Sequence, residues 1–152
     1  MLHTIRIVCV IGSVFAGTAL AQDRQVVTDP TPLPGLPFSA AIRSGSLIFV
    51  SGQIGNVPGT RTIVPGGVAA ETRQAMENIR RILEAAGSSM SRVVKCTVFL
   101  ADIADYGAMN EVYATFFPVD PPARSTLSSP GLALGARTEV ECIAVAGPGH
   151  GR

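Results

Sequence analysis

Arg124 is the first residue whose setting demands an explanation. It stands between Pro-Pro-Ala and Ser-Thr-Leu, at the start of an apolar, strand-like run. An unpaired guanidinium there would be costly, so it needs a carboxylate or several acceptors. Two readings stand level. One is a structural ion pair with Glu139 or Glu141; the other is a clamp whose planar fork holds a ligand carboxylate through two parallel hydrogen bonds. Glu139 and Glu141 lie two apart in Thr-Glu-Val-Glu-Cys-Ile-Ala-Val, which on a strand puts both on one face. A carboxylate in partly apolar surroundings can have a raised pKa and move protons near neutrality. Taken without a partner, the pair reads more simply as a strand end facing water. Ser51-Gly52-Gln53 follows the strand-like Leu47 to Val50 and could bring backbone groups close to a ligand. Alone it is a weak signal, with no phosphate loop or dinucleotide fingerprint beside it.

Other chemistries lack their residues. The only imidazoles are His3 and His150, and the cysteines Cys9, Cys96 and Cys142 form neither a CxxC motif nor a zinc spacing. A metal centre and a Ser–His or Cys–His dyad are therefore excluded. Lys95, the single lysine, sits in an apolar run. The first 21 residues read as a signal peptide: one arginine in Met1 to Arg6, a short apolar run from Ile7 to Ala16, and a small-x-small end at Ala19-Leu20-Ala21. That run is too short to span a bilayer. The mature chain is expected to be secreted or periplasmic, off the membrane, and without net charge once Arg6 is gone. Cys96 and Cys142 then meet an oxidising compartment. Two buried thiols acting as small apolar groups are favoured over a disulfide.

The elements that must position Arg124 and Glu139 follow from periodicity. The chain has 152 residues, 47% hydrophobic and 15% charged, enough for one domain with a core. Its formal charge of +1, with no Trp and two Tyr, argues against nucleic-acid binding. Residues 22–36 form an extended, proline-rich leader, 37–147 the domain, and 148–152 a flexible tail. Ser39 to Arg43 and Leu47 to Ser51 predict a hairpin about Ser44-Gly45, and 52–67 a loop. Val68 to Ala86 predicts a one-sided helix stopped by Gly87, with Arg73, Glu77, Arg80, Arg81 and Glu84 on its polar face. Val93 to Leu100 predicts a strand, and Asp105 to Phe116 a second helix ended by Pro118. Ala123 to Leu127 and Glu139 to Ala146 predict two more strands. The result is an α+β fold, a mixed sheet with two helices on one face. The other face, poor in charges, must also be buried, and self-association is the simplest solution.

Several blocks taken together resemble the RidA (YjgF-type) enamine/imine deaminase family. They are Phe49-Val50-Ser51-Gly52-Gln53-Ile54, Ile82-Leu83-Glu84-Ala85-Ala86-Gly87, Val94 to Leu100, Asn110 to Phe117, Pro122-Ala123-Arg124-Ser125 and Glu139-Val140-Glu141. They run in family order over residues 37–146. The resemblance implies a chorismate-mutase-like homotrimer with sites in the clefts between subunits and no cofactor. Its implied reaction is hydrolysis of 2-aminoacrylate or 2-iminopropionate to a 2-oxo acid and ammonia. By position Arg124 would bind the substrate carboxylate and Glu139 would orient water and handle protons. Phe38, Ser51, Gly52, Asn110 and Thr126 would line the pocket. An imine carbon is already electrophilic, so orientation and a proton relay suffice. Three positions depart from the family pattern: Phe38 replaces a Tyr, Thr126 replaces a Cys, and Pro130 stands where small or basic residues are usual. The missing hydroxyl at Phe38 favours a second reading, a non-catalytic binder of small carboxylates or 2-oxo acids on the same trimer. A third, a ribonuclease, fits the neutral charge and scarce aromatics poorly.

Overall fold

The computed structural model describes residues 24–147. The expected signal peptide and C-terminal tail lie outside the described residues. Six strands form one sheet: β1 (Arg24–Val27), β2 (Ala41–Ser44), β3 (Leu47–Ile54), β4 (Val93–Leu100), β5 (Ala123–Ser128) and β6 (Thr138–Val145), in the order β1-β2-β3-β6-β4-β5. Only β4 and β5 run parallel, because the helix α2 (Tyr106–Ala114) carries the chain back between them. The longer helix α1 (Gly67–Ala85) packs on β3, β6 and α2.

Local chemistry explains these boundaries. The β2–β3 hairpin turns at Gly45, whose φ of 58° lies in the left-handed region. Helix α1 ends in a Schellman motif: Gly87 N–H donates to Glu84 O and Ser88 N–H to Leu83 O. Its apolar row Val68, Ala75, Met76, Ile79, Ile82 and Leu83 is buried against Ile48, Val50, Cys96, Val98, Leu100, Val140, Cys142 and Ala144 of the sheet. Strand alternation leaves Leu47, Phe49 and Leu127 on the opposite face, each about two-fifths exposed.

Three expectations change. First, the leader is part of the fold, because Arg24–Val27 adds an edge strand to β2 and Asp29 accepts two 3.0 Å bonds from Arg81. Two adjacent valines are too short a pattern to announce a strand, and their pairing partner lies some fifteen residues on. Second, Arg81 is not on a solvent face but half-buried in that ion pair, which holds the Asp29 carboxyl below its usual range despite burial. Third, Cys96 and Cys142 form a disulfide. The antiparallel register of β4 and β6 sets them directly opposite, with Cα atoms 4.1 Å apart, the close spacing of a non-hydrogen-bonded pair. At a sequence separation of 46, the bridge stabilises by up to about 4 kcal/mol on loop-entropy grounds.

Candidate active site

The sequence-predicted residues fall into two groups on opposite faces of the sheet. Arg124 pairs in register with Cys96 and Thr126 with Val98. Both partners are fully buried under the helices, so Arg124 and Thr126 belong to the helix side. Glu139 pairs with Phe99, an odd number of residues along β4 and hence on the open face.

Arg124 rests on aromatic surfaces. Its guanidinium carbon lies 4.6 Å from the Tyr113 ring centre and 5.5 Å from that of Tyr106, within cation–π range. Its Nη2 donates to the Tyr106 hydroxyl at 2.9 Å. The ion pairs among the described residues are Arg80–Glu77, Arg81–Asp29 and Arg137–Asp105. Arg124 thus has no carboxylate partner there, and the structural-pair reading with Glu139 or Glu141 falls. Asn110 lies four residues after Tyr106 and three before Tyr113, on the same helical face. The Thr126 hydroxyl is buried without a hydrogen-bond partner, as is that of Tyr113. Burial pushes the Tyr113 phenol up to about 12, against the opposing pull of Arg124.

Glu139 lies at a groove of about 570 Å³, whose walls include Leu36, Phe38, Gly52, Gln53 and Leu134. Its carboxylate sits over Gly52, where an added Cβ would fall 1.9 Å from Oε1. A larger residue there would have to displace that carboxylate. Partial burial raises the Glu139 pKa and the neighbouring Glu141 charge raises it further. Phe38 is 56% exposed in this groove. Ser51 is spent differently: its hydroxyl donates to Ser39 O at 2.7 Å and its N–H to Ala40 O. It pins the segment behind Phe38 rather than lining the groove.

Sequence reasoning missed the supports. Tyr106 and Tyr113 bracket Asn110 at helical spacing, a signal that was legible as a common face but not as a seat for Arg124. Arg137 ties the two groups together: its N–H donates to the buried Glu71 at 2.7 Å, and its guanidinium makes two 2.8 Å bonds to Asp105. Among the described residues no group of three or more His, Cys, Asp or Glu is placed to hold a metal ion.

The chain as a whole is similar to known proteins. The family model described as endoribonuclease L-PSP matches residues 28–146. The 2-iminobutanoate/2-iminopropanoate deaminase of Mus musculus is 44% identical over 126 residues, covering 82% of this chain and 93% of that protein. The chloroplastic Reactive Intermediate Deaminase A of Arabidopsis thaliana is 44% identical over 128 residues, covering 84% and 68%. Among solved structures, E. coli TdcF with bound serine superposes with a TM-score of 0.74 at 35% identity, covering 81% of this chain and 99% of that one. With the match running from the first turn after β1 to the end of β6, this chain belongs to the RidA family, which the endoribonuclease L-PSP model describes.

Proposed function

We propose that the chain is an imine deaminase that hydrolyses small 2-imino acids, of the 2-iminobutanoate and 2-iminopropanoate type, to 2-oxo acids and ammonia. The observation that carries this reading is the guanidinium of Arg124, seated on two tyrosines and lacking a carboxylate of its own. It would hold the substrate carboxylate through its fork. Glu139, with its raised pKa, is a stronger proton acceptor than an ordinary carboxylate. It would take a proton from water as the oxygen adds to the imine carbon and pass it to nitrogen, giving the carbinolamine; it would then move the hydroxyl proton to the amine as the C–N bond breaks, ammonia leaves and the C=O forms. One water is consumed and no electrons are transferred. The names of the relatives support the substrate class.

Because the two groups sit on opposite faces of one sheet, they can meet only between copies. A homotrimer would set Arg124 of one chain against Glu139 of the next. The apolar face of Leu47, Phe49 and Leu127 supports such a contact. We place the mature protein outside the cytoplasm. The leader read from residues 1–21 supports this, and the Cys96–Cys142 bridge is what an oxidising compartment allows. The non-catalytic binder stays as a second reading because Phe38 brings no hydroxyl to the groove. A ribonuclease reading gets no help from a chain with 12 basic and 11 acidic residues.

The test generates 2-iminopropionate in place with an amino-acid oxidase and follows ammonia release. Wild type should accelerate it and Arg124→Lys should not. Binding of a 2-oxo acid without any acceleration, unrelieved in Phe38→Tyr, would establish the binder instead.

A further inference from the structure

Resting on that reading of Arg124, we propose that Tyr106 is a second ligand-binding group, whose phenol O–H donates to the carboxylate that Arg124 holds. In the 2.9 Å bond between them the guanidinium Nη2 is the donor and the phenol oxygen the acceptor. The phenol's own proton is therefore free to point elsewhere, and no acceptor among the described residues takes it. The two tyrosines under the guanidinium differ in the respect that matters. Tyr113 is closer to it but only 4% exposed, while Tyr106 is 42% exposed and can reach a bound molecule.

Tyr106 is also held firmly. Asp105, one residue before it, is clamped by both 2.8 Å bonds from Arg137, and the Arg137 N–H is itself fixed on Glu71. The first turn of α2 is thereby tied to β6 and α1, so the phenol's place does not depend on a loop. Two donors side by side, an N–H of Arg124 and the O–H of Tyr106, match a ligand that offers two acceptor oxygens on one carbon. A carboxylate does so. A carboxamide offers one oxygen and an NH₂, which would leave the phenol proton facing a donor. The pair therefore selects free 2-imino and 2-oxo acids over their amides.

Tyr106→Phe keeps the ring and the stacking and removes only the hydroxyl. Calorimetric titration with 2-oxobutanoate should show a Kd raised roughly ten-fold, the loss expected for one hydrogen bond to a charged group. KM should rise with it while kcat and the thermal midpoint hold, since the bond is made equally in ground and transition states. The amide of the same oxo acid should bind poorly to wild type, and the variant should narrow the gap between acid and amide. An unchanged or tighter Kd for the acid would overturn the proposal, meaning that the phenol merely occupies the fork; so would a fall in kcat together with the thermal midpoint. Arg124→Lys in the same titration separates the two levels. If it abolishes binding while Tyr106→Phe does nothing, only the role of Tyr106 falls. If it binds as wild type does, the carboxylate anchor itself is wrong.

Discussion

At Arg124 a permanent cation lies on two aromatic faces, on the helix side of an edge strand. At Glu139 an ionisable carboxylate lies over a glycine, on the open side of a central strand. The first region is fitted to hold charge without changing it, because a guanidinium does not titrate and ring faces favour the cation. The second is fitted to exchange a proton, because burial and a like charge weaken the ionised form. On the proposed reading, binding and proton transfer would be separated within one chain by the thickness of the sheet. Assembly of copies would then have to reunite them.

The largest expected effect is at the cation. Arg124→Lys should lower kcat/KM on 2-iminopropionate by about 10³-fold, since a point charge cannot replace two charge-assisted bonds. A lysine variant that keeps most of the rate would end the contrast between the two regions. Glu139→Gln should lower kcat by roughly 10²-fold, at the low end for lost acid–base catalysis because the imine carbon is already electrophilic. Its binding of 2-oxobutanoate should survive. Mixing the inactive Arg124→Ala and Glu139→Ala chains under subunit exchange then tests the separation directly. Sites built between copies should recover roughly a quarter of wild-type activity, whereas sites within one chain should recover none.

The smallest effect is thermodynamic. The pKa of Glu139 is raised in the folded chain, so as pH rises the unfolded chain ionises first. The cost to the folded state grows through the window between the two pKa values and is complete above the folded one. In an Arg124→Ala background, Glu139→Gln should therefore raise the thermal midpoint above that window, with no gain at pH below it. With Arg124 present, a neighbour's guanidinium offsets the cost and the gain should shrink. Equal gains in both backgrounds, read as a double-mutant cycle, would mean that the two groups never meet. Glu141→Gln, which removes only a flanking charge, should change kcat by no more than a few-fold.

Much of the fold was legible because it rests on local periodicity. The 3.6-residue apolar row of α1 ending at Gly87, the β-branched run Val93–Leu100 and the two-residue alternation of β6 each state their own conformation. That Arg124 and Glu139 were worth attention was legible too, since charges at the ends of apolar strands need a reason. That Glu139 and Glu141 share a face followed from spacing alone. The rest depended on register between segments far apart in the chain, which no local pattern carries. Register set Cys96 opposite Cys142 and made two thiols into a bridge. It paired Arg124 with Cys96 and Glu139 with Phe99, sending the two candidate groups to opposite faces. Tertiary packing likewise drew Asp29 onto Arg81 and laid the rings of Tyr106 and Tyr113 under a guanidinium. Residue types determined which chemistry was available; the pairing of β4 with β5 and β6 decided where each part of it faces.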